Sequence, residues 1–222
     1  MKKGYVISVI SLIAFFAFTF IVKTVDVAMI GPAGTSVGLA KINQAFHSHY
    51  GVNMTIYQIT DPMMYLAILV AAFFGVMGLV QLIKRKSLLK VDREIVGLGV
   101  LFIVSMIIYA LFEKVIINYR PTIMAGETMP EASFPSSHTM LVIVILGAAF
   151  MLAGRYIDKG AIRSLIRAVC ALIIAVTVTG RLICGCHWLT DIIAGLLMSI
   201  TLLSAYYGFI STKAGNSNST RE

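Results

Sequence analysis

Two histidines stand in surroundings that could do chemistry. His187 precedes Asp191 by four residues, a spacing that on a helix puts both on one face. There the carboxylate can accept a hydrogen bond from one imidazole nitrogen and leave the other as a free lone pair, which makes a nucleophile or a base. Arg181 lies six residues before His187, and a turn at Gly185 would fold it back towards that face. Earlier in the chain come Lys114 and Arg120, within Glu113-Lys114-Val115-Ile116-Ile117-Asn118-Tyr119-Arg120-Pro121, and then Phe134-Pro135-Ser136-Ser137-His138. Brought together, Arg120, Arg181 and Lys114 would surround a small space holding two imidazoles. A guanidinium is permanently charged and offers paired donors to a tetrahedral oxyanion, so the natural guest is a phosphoryl group. Any one of these residues alone reads better as a helix anchor than as a functional group. Taken together they read otherwise: cations clustered without matching carboxylates repel by roughly a few kcal/mol at contact distance and an effective dielectric near 20. An anion is therefore expected among them.

The elements that must position these residues are membrane spans. Of 222 residues, 59% are hydrophobic and 13% charged, against roughly 25% charged in a soluble domain, and the mean hydropathy is +0.91. The net charge of +8 suggests a nucleic-acid binder, but so apolar a chain has no polar domain to carry a basic groove, and no nucleic-acid partner is expected. Apolar runs of about 20 residues predict six spans: Gly4 to Val22, Pro62 to Ile83, Ile95 to Phe112, Thr139 to Gly154, Ala168 to Cys186 and Leu189 to Ile210. The fold class is thus all-α, one six-span membrane domain over residues 1–222 with a short outer-loop helix. Only the last two predicted spans contain charge, Arg181 and Asp191, which marks that hairpin for function.

Of the 18 Lys and Arg residues, thirteen fall on the side of the N-terminus, the loops at 84–93 and 155–167 and the C-terminal tail; the other side has Lys23, Lys41, Lys114, Arg120 and Arg181. The positive-inside rule puts both termini in the cytoplasm, with residues 23–61, both chemistry-bearing histidines and the awkward charges on the outer face. A bacterial plasma membrane is the simplest setting. The first apolar run exceeds the 7 to 15 residues of a signal h-region, which favours a retained anchor over a cleaved signal. In the outer loop, Gly31-Pro32-Ala33-Gly34 is a turn signal, and Ser36 to Phe46 can form a short helix capped by Ser36, lying in the interface or packing over the bundle. His47 and His49 resemble a metal pair by type alone, since no third ligand is near in sequence. Asn53-Met54-Thr55 and Asn218-Ser219-Thr220 match the glycosylation pattern, which occurs freely by chance. Residues 212–222 are polar, with a frayed cytoplasmic tail expected. Cys184 and Cys186 read as small packing residues, and Trp188 and Tyr119 as interface anchors.

Arg181-x5-His187-x3-Asp191, preceded by Pro135-Ser136-x-His138 and the Lys114 to Pro121 segment, resembles the three-part signature of the type 2 phosphatidic acid phosphatase family. The resemblance runs from about the second span to the sixth. It implies metal-independent, cofactor-free hydrolysis of a phosphomonoester or pyrophosphate of a membrane lipid, with phosphatidate, phosphatidylglycerol phosphate and a polyprenyl diphosphate as candidates. It further implies His187 as nucleophile, Asp191 as its orienting group and His138 as general acid, with Arg120, Arg181, Ser136, Ser137 and Lys114 binding phosphate. Three positions depart from the pattern. Glu113 stands where the family places lysine, with Lys114 one residue late; Ser137 replaces a glycine; and Gly180 replaces the serine before Arg181, removing a hydroxyl but keeping the space. Two alternatives stay open: a catalytically inactive relative acting as a lipid-binding or scaffold protein, for which Glu113 speaks, and an anion or lipid transporter, against which the lack of repeated halves speaks.

Overall fold

The computed structural model describes residues 2–124 and 126–211; Lys213, Arg221, Asn218 and the predicted tail lie outside them. Among the described residues eight α-helices follow in order: α1 Lys2–Thr24, α2 Ala40–Tyr50, α3 Met54–Thr60, α4 Pro62–Arg85, α5 Arg93–Lys114, α6 Ser137–Tyr156, α7 Gly160–Ile183 and α8 Leu189–Ser211. Six stretches are long and apolar enough to cross a bilayer, with α3 and α4 running together as one of them, Met54–Arg85. Many large apolar side chains point outwards, among them Phe20, Phe73, Ile103 and Leu172, as lipid-facing positions should. Helices α6 and α8 form the centre: half or more of each hydrophobic stretch is buried, against under a quarter in the other four spans. With no hydrophobic drive between helices inside lipid, close approach depends on small residues. A Cβ at Gly195 of α8 would come within 3.1 Å of the Ser136 carbonyl and of Thr139, so this glycine lets the head of α6 settle against α8.

The boundaries that differ from expectation include the starts of the fifth span and of the outer helix. The fifth span begins at Gly160 rather than Ala168, taking in Arg163 and Arg167. Arg167 is accommodated because its Nε donates to the Phe150 carbonyl at 3.2 Å while its guanidinium lies over the Phe150 ring, 5.1 Å from the centroid. The outer helix starts at Ala40, and Ser36 does not cap it. An antiparallel bridge between Ala28 and Val37 keeps the chain extended there. Asp26 supplies the cap instead, its carboxylate accepting from the Lys41 amide at 2.8 Å. The Pro32–Gly34 turn forms as a single 3-10 turn. Helix α2 packs over α8: Asn43, fully buried, accepts from the Thr190 amide at 3.2 Å and donates to the Thr190 hydroxyl at 3.0 Å. The outer-loop helix is therefore a clamp on the start of the sixth span.

Candidate active site

The C-terminal ends of α5 and α7 and the N-terminal ends of α4, α6 and α8 meet at one end of the bundle, and the motif residues sit there. Helix α7 stops after Ile183, and Gly185 turns the chain at φ +70°. A Cβ at Gly185 would run into the Gly51 carbonyl, so the turn needs glycine both for conformation and for space. His187 lies in this turn, just before α8, and it approaches Asp191 across the helix start rather than along a continuous helix. Its Nδ1 is 3.6 Å from Asp191 Oδ2, longer than a hydrogen bond. Asp191 is itself held firmly: Oδ2 accepts from the Trp188 amide at 2.9 Å, Oδ1 faces Asn118 Nδ2 at 3.4 Å, and its backbone carbonyl accepts from the Ser136 amide at 3.0 Å. That last bond ties the second motif to the third.

His187 Nε2 lies 3.3 Å from Arg120 Nη1. A guanidinium only donates, so Nε2 carries the lone pair and Nδ1 the proton, facing Asp191. Burial, followed by the charges of Arg120 and Arg181, holds the His187 pKa well below the ordinary histidine value, which keeps the ring neutral at neutral pH. Arg120 reaches this place from an extended segment: Tyr119 pairs with Ala132, and the Arg120 amide donates to the Glu131 carbonyl at 2.9 Å. The Arg120 side chain also meets Glu131, Nε to Oε2 at 2.9 Å.

Arg181 is completely buried. Its Nη2 donates to Asp61 Oδ1 at 2.8 Å and its guanidinium lies 4.5 Å from the Tyr57 ring centroid, yet Nε and Nη1 have no hydrogen-bond partner among the described residues. His138, on the first turn of α6, points Nε2 at the same Asp61 oxygen, 3.1 Å away. The charges of Arg181 and Arg120 reach it, opposed by that of Asp61. Ser136 caps α6, its hydroxyl oxygen facing the Thr139 amide at 3.4 Å. Ser137, Glu113, Tyr109 and His187 line a narrow depression of about 10 Å³, the room of one water.

His138, His187, Asp191, Arg120, Arg181, Ser136 and Ser137 thus come together. Lys114 does not join them: it is exposed at the end of α5 and makes no hydrogen bond or ion pair among the described residues, while Glu113, also exposed, lines the depression beside Tyr109 and His187. Three further expectations are corrected. The arginines do not lack carboxylates, because Asp61 and Glu131 pair with them. These partners went unrecognised in the sequence because neither has a fixed spacing to its arginine. The space opposite Gly180 is not empty: a Cβ there would strike Thr60 Cγ2, and this close contact of α7 with α3 sets Asp61 beside Arg181. Trp188 is buried rather than interfacial, since its indole N–H is consumed by the Tyr119 carbonyl at 2.7 Å. Cys184 and Cys186 are free and fully buried. Asn53 caps α3, its side-chain oxygen accepting from the Ile56 amide at 3.1 Å.

Fold and site define a polytopic helical bundle with an imidazole–guanidinium cluster at one end. The sequence profile of the PAP2 superfamily matches residues 94–214, more than half the chain, and the protein belongs to that superfamily. Among solved structures, the first transmembrane PAP2-type phosphatidylglycerolphosphate phosphatase from Bacillus subtilis shares the fold, with a TM-score of 0.64 at 15% identity over 92% of this chain and 96% of that one. No curated protein matches the sequence.

Proposed function

We propose that the protein is a membrane lipid phosphatase that hydrolyses a phosphomonoester or terminal pyrophosphate through a phosphohistidine, without a metal. The observation that carries this reading is the neutral, buried His187, with its Nε2 lone pair beside Arg120 and its Nδ1 towards Asp191. Nε2 attacks phosphorus as the bond to the leaving oxygen breaks. His138 donates the proton that the leaving oxygen needs, and the phosphohistidine is then released by water. Arg120 and Arg181, with Ser136 and Ser137, stabilise the equatorial oxygens, whose charge is fixed in place by donors already oriented. Lys114 enters this set only if its flexible stem swings inwards. The site lies at the ends of spanning helices, where a lipid presents its phosphate while its tails stay in the bilayer. Charge asymmetry puts this end outside the cell and both termini inside. Phosphatidate, phosphatidylglycerol phosphate and a polyprenyl diphosphate are the candidate substrates.

A second reading, a lipid-binding relative without turnover, is favoured by Glu113 facing the same depression as His187, since a carboxylate there opposes a phosphate. One assay decides between them. Purified protein in detergent, with chelator present, should release phosphate from a short-chain lipid phosphate. His187→Ala should abolish the release and Cys184→Ala should not, and an acid-labile, base-stable phosphoenzyme should be trapped. Wild-type protein that releases no phosphate across a panel of phospholipid and isoprenoid phosphates in mixed micelles would leave the binding role.

A further inference from the structure

Asp61, like Glu131, belongs to this cluster without belonging to the three motifs. One of its oxygens lies 2.8 Å from Arg181 Nη2 and 3.1 Å from His138 Nε2. Those two nitrogens are the ones a phosphoryl group would need, Arg181 for an equatorial oxygen and His138 for the leaving oxygen. The carboxylate sits there as an anion already belonging to the protein. Its seat is built: Thr60, the residue before it, packs against Gly180, the residue before Arg181, at a distance no larger residue at 180 would allow. The hold is partial, because Arg181 is wholly buried with two N–H positions still unpartnered, while the Asp61 side chain is 30% exposed.

The surroundings say what such an occupant is for. A site at the ends of membrane spans is bathed in phospholipid headgroups, most of them phosphodiesters with one negative charge. A phosphomonoester carries about −1.5 to −2 at neutral pH. A carboxylate held through two charge-assisted contacts must be displaced by either ligand and weakens both by the same factor, so a singly charged diester, the weaker ligand, loses the affinity needed to occupy the site while a dianionic monoester still binds.

We propose that Asp61 is an internal anion that holds the phosphoryl site against singly charged diester headgroups until a dianionic phosphate end group displaces it. The proposal rests on the phosphatase reading for the identity of the site. Asp61 makes no side-chain cap to α4, so Asp61→Asn removes its charge without removing a cap, and Asp61→Ala provides a second variant of different shape.

The test uses the full chain in detergent, with dihexanoyl phosphatidylglycerol as the diester competing against hydrolysis of dioctanoyl phosphatidate. The inhibition constant of the diester should fall about tenfold in Asp61→Asn, the size of one charge-assisted hydrogen bond, and KM for the monoester should fall by a similar factor. A diester constant unchanged in both variants overturns the proposal. So does a loss of kcat with diester inhibition unchanged, which would make Asp61 a positioning group for His138. Calorimetric binding of the diester to His187→Ala, with and without Asp61→Asn, needs no turnover, so equal affinities there sink the filter whatever becomes of the phosphatase reading.

Discussion

Both ends of the bundle carry arginine–carboxylate pairs, and they differ in what is left over. At the end opposite the site, Arg85 meets Asp92 at 2.7 Å and Arg155 meets Glu94. Gln81 and Tyr156 add hydrogen bonds to Asp92, Arg155 also donates to the Ile210 carbonyl at 2.8 Å, and Tyr206 donates to the Glu94 carbonyl at 3.0 Å. Gln81, Asp92, Glu94 and Tyr206 keep no buried side-chain nitrogen or oxygen unpartnered among the described residues, and Arg85 and Arg155 are exposed. At the site end, buried N–H groups of Arg181 remain unpaired, as do Nδ1 of His138 and Nδ1 of His187. The same residue types therefore fasten helices at one end and keep unspent hydrogen-bonding capacity at the other. A buried donor without a partner costs about 1–3 kcal/mol, and a fold that retains several in one place holds them for something else.

The largest effect should come from removing the nucleophile: His187→Ala should lower kcat by about 10³-fold or more, measured as phosphate release, with the protein still folded by thermal shift. Arg181→Lys keeps the charge but loses the fork, and kcat/KM should drop by about 10²-fold; a tenfold smaller effect would mean that the unpartnered N–H groups do not meet the transition state. The pH profile sharpens the contrast further. Because the His187 pKa is lowered in the folded protein, the ring stays a free base below the ordinary value near 6.5, and the acid limb of kcat/KM assigned to it should lie below pH 6.5. The unfolded chain takes up that proton first, so the stability linked to His187 is lost as pH falls below about 6.5. Thermal denaturation from pH 8 to 5 reads it. At the smallest end, Arg155→Ala should cost about 1 kcal/mol or less of stability and leave kcat/KM unchanged; a large loss of activity would erase the difference between the two ends. Asn43→Ala, which removes the clamp on α8, falls between, at about 1 kcal/mol, and should lower kcat through the displaced His187–Asp191 geometry.

The six spans were legible because a bilayer demands apolar length, and length is written in the chain. Where they differed, at the start of α7, a guanidinium found a carbonyl and a ring on a neighbouring helix, which no window of hydropathy contains. The site residues were legible by type: His187 with Asp191, Arg181 six residues earlier, Ser136 and His138 ahead of a span. Lys114 and Glu113 show the limit, since one residue of register at a helix end decides which side chain lines the depression beside His187.

The chain alone determined how many times it crosses the membrane, that its end charges are asymmetric, and that two histidines and two arginines share one end of the bundle, because these follow from the local order of residues and the thickness of lipid. Only the folded structure decided that Asp61 and Glu131 sit on those arginines, that Gly180 admits Thr60, and that α2 clamps α8. Such contacts join residues far apart in sequence, such as Asp61 and Arg181, and their distances are set by packing in three dimensions.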